Sequence, residues 1–180
     1  MRKIVRKWVW VWEFEKEERW LDEMANQGWA LDKVGFARYE FVQCEPGEYT
    51  TRLEMLEEPV STQKSQEYID FVESTGAEYI GHSLKWVYFR KKTAEGSFDL
   101  YSDIDSRIKH LQRILTMLGT LLAVNLLNTA NIFNLSSMAP TALKIFCITL
   151  IIAADVLLGT GLYKLNAMKK RLEKERALHE

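Results

Sequence analysis

Asp155 lies inside a long apolar segment, and a carboxylate in that setting needs a chemical explanation. Near the middle of a bilayer a charged carboxylate costs about 2.5 to 3.5 kcal/mol on insertion scales, so it requires a proton or a polar partner. Asn125 and Asn128 lie in the preceding apolar segment and are the predicted partners. This pattern is typical of three things: a proton or cation site, a lock between subunits, or a structural carboxyl that holds two helices together.

Residues of the types used in catalysis are few and scattered elsewhere in the chain. The three histidines, His82, His110 and His179, have no spacing that predicts a metal triad. Cys44 and Cys147 are expected in different compartments, so we predict no intrachain disulfide. The sequence contains no nucleotide-binding loop and no nucleophile motif. We therefore predict a protein that is not an enzyme, with no catalytic residues, no cofactor and no metal site.

Two apolar segments must position the carboxylate and the asparagines. Residues 114–143 form a run of 30 without a charge, whereas a helix that crosses a bilayer core needs only about 20 apolar residues. We expect a first transmembrane helix within about 114–135 and a second over 143–163, joined near Pro140 as an antiparallel hairpin. A soluble helical hairpin is the alternative, but it would need a polar face on each helix, and residues 114–124 offer almost none.

The charged residues that flank the two segments predict their orientation. Basic residues precede the first segment within 107–113, and six more follow the second segment within 164–176. The positive-inside rule then places both termini in the cytoplasm and the loop of residues 134–142 outside. The first residues lack a cleavage site, so we predict no signal peptide. The expected location is the plasma membrane, with the lipid bilayer as one partner.

The first 94 residues repeat a pattern at an offset of 48. In each copy a strand precedes a helix, the helix ends at a glycine, and two strands follow. These features predict an α+β domain, a duplicated βαββ unit with two helices over one sheet. The predicted strands are 4–14, 29–34, 37–43, 49–55, 77–82 and 85–91. The matching helical positions are Trp20 and Tyr68, Leu21 and Ile69, Met24 and Val72, and Gly28 and Gly76.

An aromatic residue occupies every second position from Trp8 to Phe14. Within a strand this alternation would place all of these rings on one face, and such a strand is expected at the centre of the sheet. Buried rings would supply much of the core of so small a domain. Exposed rings would form a flat binding surface, so both interpretations stay open.

A connector is predicted between the domain and the apolar segments. Leu100, Ile104, Ile108, Leu111 and Leu115 have helical spacing and predict a helix from about Asp103 to Leu135, begun by a cap at Ser102. Within it Gly119 and Ala123 form a small-residue pair that would permit close helix packing. The predicted parts are therefore a cytosolic domain (1–94), a connector helix (95–113), two transmembrane helices (114–164) and a charged cytosolic tail (165–180).

Several segments resemble a bacterial family that is catalogued only as a domain of unknown function. The resemblance is carried by EKEERWLDEMANQGWAL, RYEFVQCEPGEYTTRLEM and EYIDFVESTGAEYIGHSLKWVYFRK, followed by two apolar segments. It implies a small membrane protein of the kind often encoded beside a PadR-like transcriptional regulator. It implies no catalytic residues and no named ligand.

Together these features predict a membrane-anchored cytosolic module that binds or regulates. It would sense a membrane-associated signal and pass it to a protein partner, such as a transcriptional regulator or another membrane protein. A homo-oligomer is also consistent with the pattern. The alternative is an oligomeric transport or export component that uses Asp155 and the intramembrane asparagines. The net charge of −1 argues against a broadly basic nucleic-acid binder, so we expect no nucleic acid partner.

Overall fold

The computed structural model describes residues 1–101, 103–135 and 141–179, and its side chains are described outside 130–135 and 179. The chain divides into two compact units, an N-terminal unit (Met1–Asp103) and a helical unit (Ile104–Glu180). The division after residue 103 means that the predicted connector, 95–113, contributes residues to both units. The predicted cap at Ser102 lies outside the described residues.

The N-terminal unit contains two three-stranded antiparallel sheets and two helices. The first repeat comprises β1 (Arg2–Arg6), α1 (Phe14–Asn26), β2 (Trp29–Gly35) and β3 (Arg38–Gln43). The second repeat comprises β4 (Tyr49–Met55), α2 (Gln63–Ser74), β5 (Glu78–Ser83) and β6 (Trp86–Lys92). Short 3-10 turns occupy Val11–Glu13 and Thr93–Glu95. The strand order is β1-β3-β2 in the first sheet and β4-β6-β5 in the second, so the predicted α+β fold with a duplicated βαββ unit is confirmed.

The two hairpins, β2–β3 and β5–β6, agree in register, and the two repeats agree in strand order. Leu31 pairs with Phe41 in the first sheet, and Tyr79 pairs with Phe89 in the second, both at the offset of 48. Each hairpin has an irregularity directly after that pair. Each helix is followed by a glycine with positive φ, +83° at Gly28 and +90° at Gly76, a conformation that costs glycine little.

Three details of the predicted sheet are wrong. The structure has two separate sheets rather than one, and the strand predicted over residues 4–14 ends at Arg6. This strand also lies at an edge, because β3 occupies the centre of the first sheet. The aromatic alternation is misleading because the chain must turn from β1 into α1 within a few residues. Trp10 is therefore extended, and a 3-10 turn follows it.

Helix α1 contacts both sheets, whereas α2 covers the second sheet. The Trp20 ring meets the edges of Tyr39 and Phe41 in β3, at centroid distances of 4.9 and 5.8 Å. On the other side, the Phe14 ring lies 5.8 Å from the Trp86 ring in β6. The core under α2 consists of Leu56, Ile69, Val72, Ala77, Val87, Phe89 and Phe98.

The helical unit consists of α3 (Ile104–Leu135) and α4 (Thr141–His179). Both helices are long and apolar enough to cross a membrane. They run antiparallel, because Asp105 pairs with Arg176 and Asn125 pairs with Asp155. Four buried side chains follow helical spacing along α3: Ile108, Leu111, Ile114 and Leu118. The predicted series has Leu115 where the structure buries Ile114, and Leu115 is half-buried.

Candidate functional site

A group of exposed aromatic rings lies where β1 leaves the first sheet. The Trp8 side chain is 58% exposed and Phe36, in the turn between β2 and β3, is 71% exposed. Their ring centroids are 5.5 Å apart in an edge-to-face contact. Trp8 makes a second edge contact, also at 5.5 Å, with Trp10, which in turn stacks on buried Trp12. Large rings that meet one another and remain in water are typical of a binding surface.

The local backbone explains why these rings are exposed. The Lys7 amide donates to the carbonyl of Ala37 at 3.2 Å, which extends the β1 contact to the hairpin turn and holds Trp8 beside Phe36. Ala37 has a φ of +50°, so the turn is tight and Phe36 projects from its tip. After Lys7 the chain leaves the sheet, and only Trp12 and Phe14 reach the core.

Basic residues adjoin these rings in the sequence and share the outer face of the first sheet. Arg2, Ile4 and Arg6 alternate along β1, so their side chains share one face. Arg6 lies directly opposite Arg38 in the β1–β3 register. Carboxylates offset part of this charge: Arg38 pairs with Glu40 at 2.9 Å, and Arg2 approaches Asp32 at 4.0 Å. We name the aromatic–basic surface by its members: Arg2, Ile4, Arg6, Trp8, Trp10, Phe36 and Arg38.

Two further cations, Lys3 in β1 and Lys7 directly after it, belong to the opposite face. The Lys3 ammonium lies over the Trp29 ring at 5.4 Å, and the Lys7 ammonium lies over the Trp20 ring at 4.0 Å. Burial lowers the pKa of Lys7, against the opposing influence of the Glu17 and Glu23 charges. These lysines therefore stabilise the α1-covered side of the first sheet through cation–π contacts and do not add to the aromatic–basic surface.

A buried carboxylate, Glu17 of α1, joins the two sheets. The hydroxyl groups of Tyr39 in β3 and Tyr88 in β6 both donate to its Oε1 atom at 2.7 Å. Glu17 is only 7% exposed, and burial raises its pKa while the two hydrogen bonds oppose that rise. Burial also raises the pKa values of both tyrosines, so their hydroxyls remain protonated donors.

Sequence reasoning missed Glu17, although a signal was present. Phe14, Glu17, Leu21 and Met24 follow one another at spacings of three, four and three, which places the carboxylate on the buried face of α1. A charged residue at a core position of an amphipathic helix requires hydrogen-bond donors. Tyrosines on strands of both repeats supply them here.

Helix α1 also covers the free edge of β4. The amide of Leu53 donates to Glu18 at 3.0 Å, and the amide of Thr51 donates to Asp22 at 2.9 Å. Arg52 closes the contact by donating to the second oxygen of Asp22 at 2.8 Å. Burial raises the pKa of Glu18 to about 7, despite the opposing hydrogen bond from Leu53. These carboxylates satisfy backbone donors that an edge strand would otherwise present to another chain.

The intramembrane candidates lie in the helical unit. The side-chain amide of Asn125 donates to Asp155 at 2.7 Å, so the structure brings these two residues together. Asn128 is exposed. A Cβ atom added at Gly119 would meet no atom within 4 Å, and Ala123 is exposed. The small-residue pair therefore does not pack against α4 within the described chain.

The remaining sequence candidates stay apart. Among the described residues no group of three His, Cys, Asp or Glu side chains could hold a metal ion. Cys44 and Cys147 are both free thiols. Burial, reinforced by the nearby charge of Glu48, raises the pKa of Cys44, which disfavours the reactive thiolate.

Comparison with known proteins gives one family match. No curated protein and no solved structure is significantly similar to the chain. A family model matches residues 13–123, which extend from the 3-10 turn before α1 into α3. Phe36 and Arg38 lie inside the matched range, whereas Trp8 and Trp10 precede it. The chain therefore belongs to the family described as "Protein of unknown function (DUF2812)".

Proposed function

We propose that this protein is a membrane-anchored binding module with a regulatory role. Helices α3 and α4 anchor it in the plasma membrane with both termini in the cytoplasm, and the N-terminal unit carries the binding surface. One observation supports this most strongly: the aromatic–basic surface is exposed on the unit that precedes two helices apolar enough to cross a membrane.

The character of that surface favours recognition over a reaction. Exposed Trp8 and Phe36 present apolar area, and Arg6 and Arg38 present positive charge beside it. Aromatic rings and arginine are the residue types that contribute most to binding interfaces. By contrast, the buried carboxylate of Glu17 is engaged by two tyrosine hydroxyls, an arrangement that stabilises the fold.

The regulatory part of the proposal concerns the protein partner expected from the family resemblance, a transcriptional regulator or another membrane protein. A domain held at the bilayer would change its availability to that partner when its surface becomes occupied. The transport alternative has less support, because Asp155 is bonded to Asn125 within the helix pair. A hydrogen-bonded pair of this kind serves helix packing.

Photo-crosslinking in living cells tests the proposal. A benzoylphenylalanine at position 36 replaces Phe36 by a larger aromatic analogue, and the same group at position 84 is the matched control. Leu84 is the counterpart of Phe36 at the offset of 48 and is 78% exposed. We expect a discrete protein or lipid adduct at position 36 and none at position 84. Equal adduct yields at both positions, or none at either, would contradict a binding role for the surface.

Topology is tested separately with reporter fusions. A fluorescent protein at either terminus should be active, because both termini are proposed to be cytoplasmic. Alkaline phosphatase inserted in the predicted outside loop, residues 134–142, should also be active, because that enzyme requires the oxidising exterior. An inactive phosphatase at the loop would overturn the proposed orientation.

A further inference from the structure

One face of the first sheet is open, whereas the equivalent face of the second sheet is buried. In the second sheet Leu53 lies opposite Tyr88, and Met55 lies opposite Trp86, and all four side chains are buried. The corresponding pairs in the first sheet are Ile4 with Glu40 and Arg6 with Arg38. Each pair joins the edge strand β1 to the central strand β3 on an uncovered face. Ile4 is 56% exposed. These backbone positions are thus buried in the second repeat, whereas Ile4, Arg6 and Arg38 are exposed in the first.

The charges on this face are arranged for an anion. Arg6 and Arg38 lie directly opposite each other on paired strands, and like charges in that position destabilise a sheet. An anionic group between the guanidinium groups would turn this repulsion into attraction, since arginine binds phosphate through two parallel hydrogen bonds. Two carboxylates, Glu40 and Asp32, lie on the same side, but each is paired with an arginine and is largely covered.

The aromatic part of the surface selects among anionic ligands. Trp8, Trp10 and Phe36 are exposed, close in sequence to the two arginines, and would be left in water by a small soluble anion. Tryptophan is enriched at the level of lipid headgroups, where its ring is partly in apolar and partly in polar surroundings. Apolar rings flanked by Lys or Arg are the combination by which proteins bind an anionic membrane surface.

Covalent connection makes a lipid surface the nearest such ligand. The N-terminal unit ends at Asp103, and α3, which is apolar enough to cross a membrane, begins at the next residue. Tethering raises the effective concentration of a surface to the millimolar range without any new contact. The cytoplasmic leaflet is also negatively charged, and each basic residue near it contributes about 1 kcal/mol.

The geometry points to reversible docking of the aromatic–basic surface on anionic phospholipid headgroups of the leaflet to which the unit is tethered. The phosphates lie between Arg6 and Arg38, and Trp8 and Phe36 enter the headgroup layer. This inference rests on the proposed function and names the ligand of its binding surface. It makes the docked fraction of the N-terminal unit a measure of the anionic lipid content of the leaflet.

Tryptophan quenching in the full-length protein tests the docking. All six tryptophans lie in the first 86 residues, so none is in α3 or α4 and the native fluorescence reports only on the N-terminal unit. The protein is reconstituted in nanodiscs of brominated phosphatidylcholine, with increasing fractions of brominated phosphatidylglycerol. We expect quenching to increase with the phosphatidylglycerol fraction and to decrease in 1 M salt, where the screening length is about 3 Å.

Matched variants separate charge from ring contact. Arg6→Gln with Arg38→Gln should lower the docking constant about 30-fold, as two lost basic contacts imply. Lys64→Gln with Lys92→Gln removes the same charge from other exposed positions and should leave quenching unchanged. Phe36→Ser should weaken quenching, whereas Leu84→Ser, at the equivalent turn, should not.

The following outcomes would contradict docking on anionic lipid. Equal quenching in neutral and anionic nanodiscs, or equal losses in the two double variants, would exclude recognition of anionic lipid. If the crosslinker at position 36 gives a protein adduct that the two arginine substitutions abolish, while lipid quenching is absent, the surface serves a protein. The lipid inference then fails and the proposed binding function stands. Absence of both lipid quenching and any adduct removes both.

Discussion

The two repeats of the N-terminal unit share one backbone plan but differ on one sheet face. Both have the same strand order and the same hairpin register, and both bury the face beneath their own helix, around Phe41 in one and Phe89 in the other. The opposite face is charged and open in the first repeat and is buried in the second. The helix-covered face therefore maintains the fold in both repeats, while the other face can serve either as core or as a binding surface.

Substitutions on the helix-covered face that both repeats share should reduce stability the most. Phe41→Ala and Phe89→Ala remove fully buried rings at equivalent positions, and each should lower the free energy of unfolding by about 3 to 5 kcal/mol. The measurement is reversible chemical denaturation of the full chain in detergent, followed by tryptophan fluorescence. Phe36→Ala at the exposed turn should be nearly neutral. Costs that differ several-fold between Phe41 and Phe89 would break the equivalence of the repeats.

A pH titration tests the contact that only α1 makes. The folded-state pKa of Glu18, about 7, lies above its ordinary value of 4.5, so the folded state binds more protons between these values. Stability should therefore fall as pH rises from 4.5 to about 7, by at most about 3 kcal/mol, and level off above that range. Glu18→Gln keeps an acceptor for the Leu53 amide and should flatten this part of the profile. An unchanged profile in that variant would assign the titration to another group.

The bridge between the repeats should be sensitive at both ends. Tyr39→Phe and Tyr88→Phe each remove one of the two donors to buried Glu17. A buried acceptor that loses a donor costs about 1 to 3 kcal/mol, and we expect similar values from both variants. Tyr79→Phe is the control, since its hydroxyl contacts exposed His82. A neutral result for Tyr88→Phe would show that the second sheet does not depend on α1 through this bond.

The smallest expected effect concerns the open face. Arg6→Gln with Arg38→Gln should change the free energy of unfolding by no more than about 0.5 kcal/mol, because surface substitutions are usually neutral and the two charges repel. Thermal unfolding of the variant and the parent chain provides the measurement. A loss above about 1 kcal/mol would mean that these arginines hold the sheet together, and the contrast between the repeats would lose its functional meaning.

Much of this fold could be predicted from the sequence, because its strongest signals are local. Gly28 and Gly76 mark the helix ends, and the two hairpins that follow were predicted within about one residue. The number of sheets could not be predicted, since it depends on how α1 enters between β3 and β6. The aromatic alternation after Arg6 failed for a related reason: spacing of two residues is compatible with a strand and also with a turning segment that stacks its rings.

The candidate sites also differ in whether local sequence signals or tertiary packing determine them. The contact between Asn125 and Asp155 was expected, because two antiparallel helices of known spacing fix which residues face each other. The sequence alone does not decide whether the aromatic residues within 8–14 are core or binding surface, since exposure of Trp8 depends on where the sheet ends. The arginines of the aromatic–basic surface were not singled out at all, because a basic start is common and only the β1–β3 register brings Arg6 opposite Arg38.

The hydrogen bond from Tyr88 to Glu17 joins two residues that are synthesised several seconds apart. The two residues are 71 positions apart, so at about 5 to 20 residues per second the nascent helix α1 waits about 4 to 14 s for its second donor. During that interval the carboxylate of Glu17 lacks one of its two donors. The ribosome begins α3 only 16 residues after Tyr88, at Ile104. The N-terminal unit therefore completes its fold at nearly the same moment as the first long apolar helix of the chain emerges from the ribosome.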